Sequence, residues 1–331
     1  MASPWAMRAG VMVMAAGACA ALFAPVLAPH APQEQFAAYP YAPPMRLHFV
    51  TADGRIRPPF VYRLRLVDRL ERRYSEDAAE MIPITWWSCG RVICSPSEQQ
   101  PLFLLGSDAL GRDVWARLLY GGRLSLGIAA VATTGTLLIG VLVGALSAMA
   151  GGRVDELLMR AADLVLTLPL IYVLLVLRGA LPLVLEPWQV FLGLSTGLIL
   201  VGWPQTARGV RAILKVEGTQ GYAEAALAAG ASPLRVLRRH TLPAARGYVG
   251  TQAALLVSAS VLAEATLSYA GFGFLEPSAS WGTMLHDVGS VYVLGEFPWL
   301  FAPAVAIASV SMGVRVIAEQ RWTRTERLWL F

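Results

Sequence analysis

Charge is what this sequence has least of. Only 15% of its 331 residues are Asp, Glu, Lys or Arg, against about 25% in ordinary soluble domains. A chain so poor in charge is not a disordered one, which needs charge and polarity to stay open. Lysine is almost missing: 26 of the 27 basic residues are arginine, and the single lysine is Lys215. It follows Leu214, so there is no Gly-Lys pair and no phosphate-cradling loop of the Walker type. The basic residues do not build one basic face, which argues against a nucleic-acid binder. Three cysteines in a chain of this length exclude a disulfide scaffold. The four histidines, His30, His48, His240 and His286, are scattered, and no His-Glu-x-x-His run occurs. Neither a metal site nor a metallopeptidase helix is expected.

What fills the chain instead is apolar: 56% of residues are hydrophobic and the mean hydropathy is +0.54. A bilayer core about 30 Å thick takes roughly 20 mostly apolar helical residues. Six stretches qualify: 9–28, 124–150, 157–177, 187–207, 247–269 and 297–314. Their only charges are Arg160 and Asp163 in the third and Glu264 in the fifth. Lipid offers the backbone no water to bond with, so each span is read as a helix. The fold class expected is an all-α integral membrane protein of six transmembrane helices. The first stretch also admits a second reading, a secretory signal ending at Ala-Gly-Ala-Cys19.

Orientation follows from the short loops, since Lys and Arg stay on the cytoplasmic side. With the N-terminus inside, the cytoplasmic segments hold Arg8, Arg153, Arg160, Arg208, Arg211, Lys215, Arg235, Arg238, Arg239, Arg246, Arg315, Arg321, Arg324 and Arg327. The short outer loops hold only Arg178, beside Glu276, Asp287 and Glu296. Both termini are therefore expected in the cytoplasm. The expected division is an N-terminal transmembrane helix over 1–29, an extracytoplasmic insert over 30–117, a five-helix core over 118–318 and a cytoplasmic tail over 319–331.

The insert carries 11 arginines and 10 acids, a soluble balance, and long domains cross the membrane regardless of charge. Residues 46–49 and 60–67 read as strands around Thr51-Ala52-Asp53-Gly54, a hairpin-turn sequence. Tyr62, Leu64 and Leu66 alternate with Arg63 and Arg65. Pro58-Pro59 demotes the second run to an edge strand or a bend. The insert is read as a small β-containing cap. Cys89 and Cys94 lie within it, with four residues between them, Gly90 included. An exported location permits a disulfide between them; two unpaired cysteines in a small core is the other reading.

The cytoplasmic segment 208–246 is the most informative. Gly221-Tyr222-Ala223-Glu224-Ala225-Ala226-Leu227-Ala228-Ala229-Gly230 predicts a short helix with a glycine stop. Ser232-Pro233 then supplies an N-cap and the proline favoured at the first helical position, and a second helix runs to Leu242-Pro243. Two short helices meeting at Gly230 make an angled peg, and its alanines let a partner approach closely. The plain alternative is an ordinary loop with a solvated basic face.

Glu224-Ala225-Ala226, Gly230, then Leu242-Pro243 resembles the coupling loop of ATP-binding-cassette importer permeases, although Thr241 stands where that family often has isoleucine. More of the chain is similar to the C-type subunit of oligopeptide and dipeptide permeases. Gly106-Ser107-Asp108-Ala109-Leu110-Gly111-Arg112-Asp113 with Arg117, Tyr120-Gly121 and Arg123-Leu124-Ser125-Leu126 looks like its entry to the second span. Gly151-Gly152-Arg153-Val154-Asp155, the run 262–269, Gly271, Gly273 and Ser280-Trp281-Gly282 continue the series. The resemblance covers about residues 104–318. It implies a permease subunit that is not itself an enzyme. It pairs with a second permease subunit in a heterodimer, two cytoplasmic ATPases and an extracytoplasmic substrate-binding protein in the cytoplasmic membrane, with no cofactor. It also implies that the loop docks on the ATPase through Glu224, Ala225, Ala226, Gly230, Leu242 and Pro243. The substrate implied is a peptide; nickel, opines and oligosaccharides belong to related permeases. A self-contained secondary transporter, the reading from another class, would show inverted repeats or several buried charges, and neither is seen.

Four further features admit two readings each. Glu264 within the fifth span either lines the solute path or meets the partner permease, or else makes a structural hydrogen bond. Asp163 and Arg160 are read as an ion pair or as interfacial anchors. Gly140-x-x-x-Gly144-x-x-x-Ala148 is a small-residue stripe for a partner helix or for internal packing. Asp108, Arg112, Asp113 and Arg117, at helical spacing, read as a solvated helix face or a surface for a binding protein.

Overall fold

The computed structural model describes residues 4–51, 54–87, 90–94, 101–180, 182, 185–289 and 291–328. Cys89 lies outside them. Helices dominate: α1 (Pro4–Leu22), α2 (Ala24–Leu27), α3 (Val114–Ala150), α4 (Gly152–Thr167), α5 (Leu170–Gly179) and α6 (Pro187–Gly218). They continue with α7 (Gly221–Ala228), α8 (Pro233–Val236), a π turn over Leu237–Thr241, α9 (Leu242–Ala244), α10 (Arg246–Tyr269), α11 (Trp281–His286), α12 (Val291–Glu296) and α13 (Ala302–Leu328). Strands occupy the region before α3: β1 (His48–Val50), β2 (Ile56–Asp68), β3 (Arg73–Pro83), β4 (Thr85–Trp86) and β5 (Ile93–Cys94).

Among the described residues four helices are long and apolar enough to cross a membrane: α3, α6, α10 and the stretch Pro298–Ala318 that enters α13. The third expected span is not one straight helix. It is the pair α4 and α5, bent by 82°, because Pro169 has no N–H to donate and forces Leu168 into extended backbone (ψ 120°). Counted as one span, the pair brings the total to five. The first expected span corresponds to α1, whose apolar stretch Met7–Leu22 is shorter than the others. Leu138, Leu142 and Leu146 on α3, Leu192 and Leu200 on α6 and Leu255 and Leu262 on α10 are exposed. Such an apolar outer surface is what hydrocarbon requires of a span.

The chain forms two compact units. The first comprises Met1–Met14, Ile128–Ala263 and Val310–Phe331. Here the small-residue stripe of α3 packs on α6. A Cβ at Gly140 would stand 2.5 Å from Thr206 Cβ, and one at Gly144 would stand 2.6 Å from the Ala207 carbonyl oxygen. The stripe therefore serves internal packing: two helix backbones approach at a distance only glycine allows. Asp163 takes its hydrogen bond from Arg208 of α6, while Arg160 turns to Glu156 one turn away, so the expected Asp163–Arg160 pair does not form.

The second unit comprises Ala15–Gly127 and Glu264–Ser309. Its sheet has the order β1-β2-β3, antiparallel throughout. β2 is therefore the central strand, so of the two readings of Pro58-Pro59, an edge strand or a bend, the edge strand does not hold. The prolines fall where the β1–β2 pairing is irregular, before the β2–β3 ladder begins at Phe60↔Pro83, so no regular ladder bond is lost. Val61, Leu64 and Ile82 from the sheet form a core with Tyr39, Met45, Ile84, Leu102 and Phe103. Cys94 is buried on β5.

Candidate functional site

The helix that begins after Gln220 stops as its sequence dictates. Gly230 N–H donates to the Leu227 carbonyl at 2.9 Å and Ala231 N–H to the Ala226 carbonyl at 3.0 Å. That is the two-bond Schellman closure, and it needs a left-handed residue at the turn. Gly230 supplies it at φ +87°. Ser232 then has the extended backbone of an N-cap, and Pro233 takes the first helical position, but the Ser232 side chain makes no capping bond. The second leg is not one regular helix either. After α8 the chain widens into the π turn Leu237–Thr241 before Leu242 and Pro243 start α9.

Ala223 and Val236 are buried, and Leu237 and Leu242 pack beside Val210 and Leu214 of α6. These four side chains seat the peg on its own chain. Much of its remaining surface is open: Glu224, Ala225, Leu227, Gly230 and Leu234 are exposed, and Glu224 has no ion pair among the described residues. Tyr222 donates to Glu217, which pushes its hydroxyl up to about 12. The arrangement is a small-residue knob with one unpartnered carboxylate at its shoulder. It offers shape and a hydrogen-bond acceptor, not a reactive centre.

Glu264 sits elsewhere, in the second unit, with no exposed surface. Its carboxylate accepts from Ser125 Oγ of α3 at 2.6 Å and from Ser268 Oγ one turn along at 2.8 Å. Ser125 Oγ also accepts from Trp281 N–H at 3.3 Å. The carboxylate is thus enclosed by partners from its own chain.

Asp108, Arg112, Asp113 and Arg117 do not form a solvated helix face. All four are buried, and only Arg117 lies on the helix, since α3 begins at Val114. Arg112 Nε donates to Asp108 at 2.6 Å and Arg117 Nη2 to Glu276 at 2.7 Å. Asp287 accepts from Arg112 at 3.1 Å, and Asp113 meets His30 Nδ1 at 3.0 Å. Burial raises the Glu276 carboxyl, but the two arginines outweigh it and hold the group below its ordinary range. Asp287 goes the other way: burial, with Glu276 nearby, pushes it up against the pull of the same arginines. Sequence spacing had set Glu276 and Asp287 apart from the four as mere loop acids.

Gly193-Leu194-Ser195-Thr196-Gly197 has the spacing of a hydrolase nucleophile elbow, but it lies inside α6 and Ser195 is buried. An elbow needs a strand-to-helix turn that exposes the serine, so no such site exists there. Among the described residues no group of three His, Cys, Asp or Glu side chains is placed to hold a metal ion.

Comparison with known proteins gives this geometry a context. Over 218 residues the chain is 37% identical to the oligopeptide transport system permease protein OppC of Bacillus subtilis, covering 65% of this chain and 68% of that one. Over 220 residues it is 34% identical to the dipeptide transport system permease protein DppC of the same organism, covering 65% of each. Among solved structures, the MetNI methionine ABC transporter in an inward-facing conformation aligns at 19% identity and a TM-score of 0.49, over 62% of this chain and 95% of that one. Residues 138–320 match the model of a single family, which includes the loop and the helices around it. The chain belongs to the family of binding-protein-dependent transport system inner membrane components.

Proposed function

We propose that this multi-pass membrane protein is the permease subunit of an ATP-driven peptide importer, forming half of the solute path. The observation that carries the reading is the exposed peg around Gly230, whose unpartnered Glu224 and small side chains suit a groove on a cytoplasmic ATPase. Glu224, Ala225, Ala226 and Gly230 make the contact, and Leu242 and Pro243 anchor the returning leg. ATP hydrolysis belongs to the partner, in keeping with a chain that has no Gly-Lys pair. A peptide substrate is favoured by the names of the two Bacillus relatives.

In this reading the protein has six spans, with residues 30–117 outside and both termini and the segment 208–246 in the cytoplasm. A second permease subunit completes a heterodimer, and a binding protein delivers the solute from outside. Glu264 ties α3 to α10 beside the path; its bonds to Ser125 and Ser268 favour support over solute contact. A Cys89–Cys94 bridge closes the end of the exported insert. The test is reconstitution of the complex in proteoliposomes, with peptide uptake and ATPase rate measured together. Uptake without ATP, or with this subunit alone, rejects the reading.

A further inference from the structure

Asp155 opens the first turn of α4 and is buried, with 6% of its surface exposed. Three groups converge on it. Arg211 grips the carboxylate with two nitrogens, Nη2 standing 2.6 Å from Oδ2. Lys215 donates to the same Oδ2, and Ser147 from the end of α3 donates to Oδ1. Arg211 and Lys215 are four residues apart and so share one face of α6. Lys215 is the only lysine in the chain. Two-pronged bonds between charged groups are among the strongest and most directional that side chains make.

The same two turns of α6 carry a second face. Val210 and Leu214, each one residue before a cation of the clamp, pack with Ala145 of α3 and with Leu237 and Leu242 from the returning leg of the peg. This stretch of helix therefore has the peg on one face and the ionic clamp on the adjoining one. A push on the peg reaches α6 directly, and it moves α4 only if α6 cannot slide past it.

We infer that Asp155 is a positioning residue for transport, locking the cytoplasmic ends of α3, α4 and α6 into one lever that carries the movement of the peg to the spans. This rests on the coupling role proposed for the peg. Without the carboxylate, Arg211 and Lys215 face each other one turn apart with no counter-charge, and like charges at that spacing repel.

The experiment uses the full complex in proteoliposomes, with the binding protein purified together with its endogenous ligand. Spin labels at Glu156→Cys on α4 and Ser232→Cys on the peg report the separation in the nucleotide-free and ADP-vanadate-trapped states. A rigid lever keeps the separation narrow and equal in both. In Asp155→Asn the distribution broadens or shifts on trapping, and binding-protein stimulation of the ATPase falls about fivefold or more, the lower end of ordinary coupling between sites. Asp155→Glu restores the narrow distribution, which a general folding defect would not do. Should Asp155→Asn fail to insert, Lys215→Met leaves the Arg211 bonds in place and gives the same broadening to a smaller degree. A separation that changes on trapping in the unmodified chain, or an Asp155→Asn protein with unaltered distances, overturns the inference. Gly230→Pro measured alongside separates the two levels. If it abolishes stimulation while Asp155→Asn does not, only the lever falls; if it leaves stimulation intact, the peg reading falls first.

Discussion

Arg117 and Glu276 meet at 2.7 Å across 159 positions of sequence. The bond joins the first turn of α3 to the loop that follows α10, and Arg112 reaches the same carboxylate from the preceding loop. Two arginines are thus shared among Asp108, Glu276 and Asp287. Arg117 is 1% exposed, and its removal leaves Asp108, Glu276 and Asp287 to share Arg112 alone. Arg117→Met is expected to destabilise the fold, by less than the about 3–5 kcal/mol of a fully buried pair broken from one side, because Arg112 remains and Glu276 is partly exposed. A thermal-unfolding scan of the purified protein in detergent measures it; a midpoint equal to that of the unmodified chain refutes the role.

Two of the three acids that share these arginines, Glu276 and Asp287, are expected to behave differently. Glu276 has its carboxyl held below the ordinary range, so its charge favours the fold. That contribution is complete above the ordinary glutamate range and is lost as pH falls through the lowered value. Asp287 is held above its ordinary range, so its charged form disfavours the fold at neutral pH and acid relieves it. Glu276→Gln should therefore lower the unfolding midpoint at pH 7 and flatten its decline in acid. Asp287→Asn should cost less at pH 7, or stabilise. Unfolding midpoints of both variants between pH 3 and 7 decide; equal losses would mean that the shared arginines do not tell the acids apart.

How far the sequence discloses this structure depends on the range of the interaction. Gly230 was legible because a helix stop is a local event: a run of alanines, a glycine, then Ser-Pro. The bend at Leu168-Pro169 was local too, yet 157–177 reads as one apolar span because hydropathy averages over the proline. Asp108, Arg112, Asp113 and Arg117 misled for the opposite reason. Their spacing suits a helix face, but Arg112 and Arg117 pair with Glu276 and Asp287 and Asp113 with His30, and no local pattern records a pairing at those separations. The Asp155 clamp was half visible. Asp155 stood in a stretch resembling the family, but nothing in the spacing tied it to Arg211 and Lys215. β2 became the central strand because β1 and β3 flank it on both sides, a tertiary fact that outweighs the prolines near its start.

Topology has a direct check. Ser75 lies on β3 and Ser232 stands at the residue before α8, and both are exposed. In a background without the native cysteines, Ser75→Cys should react with an impermeant maleimide added from outside, and Ser232→Cys only after the inner face is opened. Labelling of Ser75→Cys solely from the cytoplasmic side reverses the proposed orientation. Loss of the first residues from the mature mass would mean that α1 is a cleaved signal and not a span.

The proposed Cys89–Cys94 bridge would close a short loop, and constraining the unfolded chain in that way is worth up to about 3 kcal/mol. Mass tagging of free thiols in denatured, non-reduced membranes should modify Cys19 alone. Three tagged thiols reject the bridge.

The proposed coupling peg rests on one backbone angle. Gly230 sits at φ +87°, with nothing near the position a Cβ would take, so crowding is not what excludes a side chain; conformation is. An alanine there meets a left-handed penalty of about 1–2 kcal/mol, which the turn can absorb with a small loss. A proline cannot adopt that angle and also lacks the N–H that bonds to Leu227, so the Schellman closure opens and the two legs lose their fixed angle. Glu224→Ala removes only the exposed carboxylate at the shoulder. The expected order of damage is therefore Gly230→Pro, then Glu224→Ala, then Gly230→Ala. Ala223, Val236, Leu237 and Leu242, which seat the peg on its own chain, are untouched in all three, so insertion and folding should survive. Binding-protein-stimulated ATPase activity and uptake should fall in that order, measured beside complex assembly by pull-down. If Gly230→Pro assembles, is stimulated and transports like the unmodified protein, the angle between the legs is not what couples the ATPase to the membrane spans.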